Sequence, residues 1–174
     1  MSGLSGRERL QPSLIDRLTD QNPAAKRDGP DQQALTLAQL RQAVLRDLSW
    51  LLNTTNLESI DALADTPLAA QSTINYGIPG LAGLLDSSSR LRTLEEQLAT
   101  AVRNFEPRIR AETVKVRARG ATESFGLRAL LFEIEGELWA QPVPIQLFVE
   151  TKIEVETRAA VVTEIKARAF DDGS

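Results

Sequence analysis

The chain has 174 residues and a mass of 19.1 kDa; 42% of its residues are hydrophobic, 25% are charged, the net charge is -4 and the pI is near 5.0. Those values fit one acidic domain with a sizeable core and give no global attraction to nucleic acid. Cysteine and histidine are both absent, which excludes disulfides, thiol nucleophiles, the usual zinc ligands and the commonest general base. No apolar run reaches the roughly 20 residues of a membrane span, and the N-terminus carries no apolar signal core. The expectation is a cytoplasmic protein without membrane insertion.

Residues 1–11 hold Gly3, Gly6 and mixed charge and are expected to be disordered. Pro12 to Leu18 can form a short helix with Leu14, Ile15 and Leu18 on one side. Residues 20–33 contain two prolines, one glycine and no large apolar side chain, which is a linker composition. The tethered apolar helix has two readings: it folds back on the core, or it docks on a partner. The first long helix spans about Leu37 to Asn53, with Leu37, Leu40, Val44, Leu48 and Leu51 as its buried stripe. Thr36 and Gln39 have capping-box spacing. Arg46, Asp47 and Trp50 lie near its end. Asn53-Thr54-Thr55-Asn56 breaks it with side chains that compete for the backbone. Leu57, Ile60 and Leu63 suggest one or two helical turns. Thr66 and Pro67 open another helix as cap and first residue, which ends at Asn75-Tyr76-Gly77.

Leu91, Leu94, Leu98, Val102 and Phe105 step by three and four, so they form the apolar stripe of a central helix. Ser87, Ser88 and Ser89 can supply its N-cap, and Pro107 stops it. Beyond Arg108 the period changes to two. Val114, Val116 and Ala118 alternate with Lys115, Arg117 and Arg119 in a half-buried strand. A turn at Gly120–Glu123 leads to a longer strand from about Phe125 to Leu138. Leu130, Phe132 and Ile134 face inward there, and Leu127, Ala129 and Leu131 sit on the other parity, which predicts a bulge or a partly covered second face. Pro142 and Pro144 bracket the next turn. In the third strand Ile145, Leu147, Val149, Thr151, Ile153 and Val155 point one way, and Gln146, Glu150, Lys152, Glu154 and Glu156 the other.

The predicted architecture is α+β, with three or four helices on one face of a small three-stranded antiparallel sheet. Its parts are a flexible segment over 1–33 with a docking helix near 12–19, a domain over 34–157 and a tail over 158–174. Within the domain, helices fill 36–106 and the sheet 111–157. The tail is a strand, a helix or frayed chain. The third strand is long and has no proline, so it is either covered by the C-terminal segment or open to a partner that adds strands.

Catalytic signals are weak. No phosphate-binding glycine loop occurs, no acidic pair has a metal-site context, and no cofactor site is predicted. Two carboxylates can hydrolyse a glycosidic bond, with Glu106 and either Asp86 or Glu123 as candidates. Arg103, Arg108 and Arg110 surround Glu106, however, and suit an ion pair better than a general acid. Arg108, Arg110, Lys115, Arg117 and Arg119 are spread over a turn and a strand, a solvated face rather than a nucleic-acid site. In Glu106-Pro107-Arg108 the proline fixes the backbone between two opposite charges. Either the pair is spent inside the chain, or it is presented rigidly to another subunit.

Four stretches in order, Ser13-Leu-Ile-Asp-Arg-Leu-Thr19, Val44-Leu-Arg-Asp-Leu-Ser-Trp-Leu-Leu-Asn53, Ser72-Thr-Ile-Asn-Tyr-Gly77 and Phe105-Glu-Pro-Arg-Ile109, resemble the TssE family. These are baseplate subunits of bacterial type VI secretion systems, similar to a wedge protein of contractile phage tails and often labelled lysozyme-like. The resemblance covers about Pro12 to Thr157. It implies a non-enzymatic role in which Glu106, Pro107 and Arg108 contact the wedge subunits TssF and TssG, with TssK a further candidate. It also implies that the sheet, through an edge at Ile145–Val155, templates the first sheath ring of TssB and TssC. The alternatives are a lysozyme-type peptidoglycan hydrolase, and the equivalent wedge protein of a phage tail or an extracellular contractile device.

Overall fold

A computed structural model describes residues 13–19, 36–61, 63, 65–80, 88–124, 127–139 and 144–165. The expected disorder of 1–11, the linker over 20–33, the Ser87 cap and the frayed end at 171–174 lie outside them.

Helices come first and strands follow. The described helices longer than four residues are α1 (Leu14–Leu18), α2 (Leu37–Leu52) and α4 (Ser88–Phe105), with the single turn α3 (Pro67–Ala70) between the last two. α2 starts where its capping box predicts: Thr36 accepts from the Gln39 amide, and the Gln39 side chain accepts from the Thr36 amide. The helix expected over 66–75 is instead α3 plus a separate 3-10 turn at Thr73–Asn75. The Thr66 side chain makes no cap bond to α3, and its hydroxyl donates to the Leu63 carbonyl at 3.3 Å. Gly77 has φ +127°, and a Cβ there would stand 2.4 Å from the Thr54 carbonyl oxygen. That close approach lets the Ile78 amide donate to the Thr54 carbonyl and the Asn56 amide donate to the Ile78 carbonyl, just beyond α2, as only glycine permits.

The sheet has four antiparallel strands, not three: β1 (Lys115–Ser124), β2 (Leu127–Leu138), β3 (Ile145–Glu154) and β4 (Ala160–Glu164), in the order β1-β2-β3-β4. Part of the segment expected as a tail is therefore a strand. The chain reverses through Val155–Ala159, where Thr157 donates to the Glu154 carboxylate and accepts from the Ala159 amide. Arg158 takes the left-handed conformation at φ +60°. This turn uses no glycine, proline or asparagine, so the usual punctuation is missing. The expected bulge exists, but in β1, between Ala118 and Gly120.

One core joins both layers. Val44, Leu48 and Leu51 of α2 and Leu94, Leu98 and Val102 of α4 pack on Leu130, Phe132, Ile134, Leu147, Val149 and Ile153 of the sheet. The side chains with the other parity, such as Glu133, Glu150 and Lys152, lie on the far face. The sheet is thus apolar towards the helices and charged away from them.

Candidate partner interface

The Glu106-Pro107-Arg108 turn follows α4 directly. The Glu106 amide still donates to Val102, and Ile109 donates back to the Glu106 carbonyl, closing the turn that Pro107 demands. Ile109 then bridges to Leu138, while Arg110 donates to Glu137 and Trp139 to Arg108. The turn is pinned to the end of β2. Gly136 makes this docking close, because a Cβ there would meet the Ile109 side chain at 2.5 Å.

Glu106 is 2% exposed. Its Oε1 accepts from the Arg108 amide at 3.1 Å and from Arg108 Nε at 2.7 Å, and its Oε2 accepts from Nη2 at 2.5 Å. This is the planar two-point match that guanidinium and carboxylate form. Arg108 Nη2 also donates to Asp47 of α2 at 2.5 Å. Asp47 accepts from Arg46 Nε at 2.8 Å, and Arg46 Nη1 donates to Asp16 of α1 at 2.5 Å. The charges alternate along one ladder: Glu106, Arg108, Asp47, Arg46, Asp16. Burial pulls the Arg108 pKa down, but bonds to Glu106 and Asp47 more than offset it and raise the group above the usual guanidinium range. The bond from Arg46 likewise holds the Asp16 carboxyl below its ordinary value. Tyr76, edge-on to Phe105 with ring centroids 5.2 Å apart, lies near the ladder. Its hydroxyl pKa is raised by burial and then by the negative charges of Asp47 and Glu106.

The motif therefore does not hold out two free charges. Glu106 is enclosed and both its oxygens are taken within the chain, while the Arg108 side chain keeps about a fifth of its surface at 21%. Arg108 Nη1 is enclosed without an acceptor. Sequence reading found Glu106 and Arg108 but not the whole ladder. Adjacent Arg46 and Asp47 on α2 were the available signal, and Asp16 had none.

α1 is attached with its polar side. Asp16 reaches Arg46, while Leu14 and Leu18 are 70% and 76% exposed and Ile15 is 49% exposed. Beside Asp16, the Arg46 guanidinium lies 4.9 Å from the centroid of the Trp50 ring, which is itself half exposed. The helix does not fold its apolar side onto the core, so those three leucine and isoleucine side chains remain available.

The edge expected at β3 is not free. β4 pairs with Val149–Ile153, and Leu147, Val149, Thr151 and Ile153 are buried against the helices. Ile145 is half-buried, and Val155 lies in the turn after β3. Of these six positions, Val149, Thr151 and Ile153 lie within the pairing of β4, Ile145 and Leu147 lie in the part of β3 beyond it, and Val155 is in the turn. The outer edges belong to β1 and β4.

A polar groove of about 280 Å³ runs between α4 and the 56–79 segment, lined among others by Asn56, Glu58, Asn75, Glu96 and Asn104. Glu106 is not among its lining residues. No helix among the described residues is long and apolar enough to cross a membrane.

The site thus combines a helical layer on a small sheet, a part-buried ion ladder behind one turn and a short helix with exposed apolar side chains. The family model described as baseplate wedge protein gp25 matches residues 38–143, and the chain belongs to that family, which is also that of TssE. It is a component of a contractile-tail baseplate and associates with other baseplate subunits. No curated protein and no solved structure matches it.

Proposed function

We propose that the chain is the TssE-type wedge component of a type VI secretion baseplate, acting in the cytoplasm without catalysis. The family match carries this reading, since it spans α2, α4 and the Glu106–Arg108 turn. In it, the wedge subunits TssF and TssG, with TssK beside them, dock around Arg108 and on the apolar side of α1. The sheath subunits TssB and TssC add strands to the open sheet edge. That edge is now β4 rather than β3. The enclosed Arg108 Nη1 supports the first contact, because a small side-chain movement would offer it to an acceptor on the partner. The double engagement of Glu106 by Arg108 supports a structural role for the carboxylate over that of a general acid.

The test is co-purification with the TssF and TssG subunits. Arg108→Glu would drive three carboxylates together and risks unfolding, so Arg108→Lys is the sharper variant. Lysine keeps the charge but loses the two-point geometry. Wild type should form the complex and Arg108→Lys should weaken it at least tenfold with an unchanged circular dichroism spectrum. Equal binding by both would move the contact away from the ladder. Release of reducing sugar from peptidoglycan, lost in Glu106→Gln, would reverse the non-catalytic reading.

A further inference from the structure

In β4 the alternation of hydrogen bonds is set by its two ends. Glu154 donates to Ala159, and Ile165 donates to Phe148. With Val149 opposite Glu164 and Ile153 opposite Ala160, the odd-numbered residues of β4 bond to β3. Ala160, Val162 and Glu164 turn their N–H and C=O outward. Asn53, the residue closing α2, occupies the first of these. Its Nδ2 donates to the Ala160 carbonyl at 2.9 Å, and its Oδ1 accepts from the Ala160 amide at 2.9 Å. A carboxamide carries the same donor and acceptor as a peptide unit, so the side chain stands where a neighbouring strand residue would. It is held there, because Nδ2 also donates to the Ser49 carbonyl at 2.7 Å and the Asn53 backbone amide caps α2 on the same carbonyl. Both amide hydrogens and the oxygen are then used.

The opposite edge is treated the same way. Glu95 of α4 accepts from the Ala118 amide of β1 at 2.6 Å, and Arg103 donates to the carbonyl of Val114, the residue before β1, at 3.0 Å. No described group bonds to the outward N–H and C=O of Val162 or Glu164. Among the described residues, helix side chains thus occupy Ala160 on the β4 edge and Ala118 on the β1 edge, while the outward groups of Val162 and Glu164 carry no such bond.

We propose that Asn53 is the register stop of that edge: an extended strand from a sheath subunit can pair with β4 only from Val162 onward, because the Ala160 positions are already filled. This rests on the reading of β4 as the strand-accepting edge. Asn53 is a positioning residue. It makes no contact with the added strand beyond ending it, and it selects one register among those that differ by two residues.

The chain has no cysteine, so one introduced thiol reports alone. Thr163→Cys, whose side chain lies on the far face of the sheet, is assembled with cognate TssB–TssC sheath subunits bearing single cysteines along their exchanged strand. With Asn53 intact, disulfides should concentrate at one partner position. Asn53→Ala should spread them to the position two residues away, at a third or more of the original yield. Asn53→Asp keeps the acceptor for Ala160 and loses the donor, so it should shift fewer, and it serves if the alanine variant fails to fold. Mere destabilisation would lower every yield and move none. The same single position in all variants would overturn the register stop and leave strand addition standing. No disulfide at any position would overturn the strand-acceptor reading and the stop with it. In the isolated protein, the Ala160 amide should exchange with solvent at least tenfold more slowly than those of Val162 and Glu164. Equal protection of all three would mean that the chain covers its own edge, and would also overturn the proposal.

Discussion

Thr151 and Glu106 are both buried polar residues, and they illustrate opposite treatments. Glu106 accepts three hydrogen bonds from one arginine. Thr151 is 1% exposed, faces the helices from the middle of β3, and its hydroxyl has no hydrogen-bond partner. A buried hydroxyl without a partner is costly, and valine has nearly the same shape. Thr151→Val should therefore stabilise the protein by about 1 kcal/mol, raising the melting temperature by roughly 2–4 °C in a domain of this size. Calorimetry checks it, and a lower melting temperature would indicate that the hydroxyl is satisfied. At this scale the sequence was informative where pattern and chemistry coincide. The alternation of β3 placed Leu147, Val149 and Ile153 on the core side, and the structure buries all three. It was silent about Asn53 and Asp16, whose roles depend on residues 107 and 30 positions away.

Among the elements, α1 depends most on a single contact. Five residues are too few to hold a helix alone. Ser13 caps it, and Asp16 ties it to Arg46 of α2. The Asp16 carboxyl has a folded-state pKa below its ordinary 3.8. Docking is therefore at full strength above that value and is lost as pH falls through the lowered one. Titration from neutral to about pH 2 should shift the Trp50 indole resonance, because Arg46 is released from Asp16 beside that ring. The acid shift should vanish in Asp16→Asn; if it persists there, another group is responsible. Elements with strong periodicity were legible: α2 begins at Leu37 and α4 ends at Phe105 as their stripes and caps predict. β4 was not, because it has five residues and its turn is made by Glu154, Thr157 and Arg158 side chains and backbone instead of glycine or proline. Missing it made β3 look like an edge.

At the scale of the molecule, helices and sheet share one core, so neither layer should unfold without the other. The two tryptophans report on each layer separately: Trp50 sits on α2, and Trp139 follows β2. Single-tryptophan variants should lose fluorescence at the same denaturant midpoint. Leu48→Ala, which empties a fully buried position on α2, should cost about 2–5 kcal/mol of stability and lower both midpoints together. A sheet signal that outlasts the helix signal would divide the domain. The α+β class followed from the change of period at Arg108. The strand count did not, since a layer's size depends on pairing over distance.

The strand order β1-β2-β3-β4 follows the order of the sequence, so β4 leaves the ribosome after the other three. Until then β3 is the exposed border, and its long, proline-free run is the kind of edge on which nascent chains associate wrongly. Once β4 folds back, Val149–Ile153 of that border is covered by a strand only five residues long, with its first outward position filled by Asn53. Folding of β4 thus exchanges part of a long adhesive border for a short one. A chain truncated after Thr157 would keep the long border permanently, and aggregation during expression would be its signature.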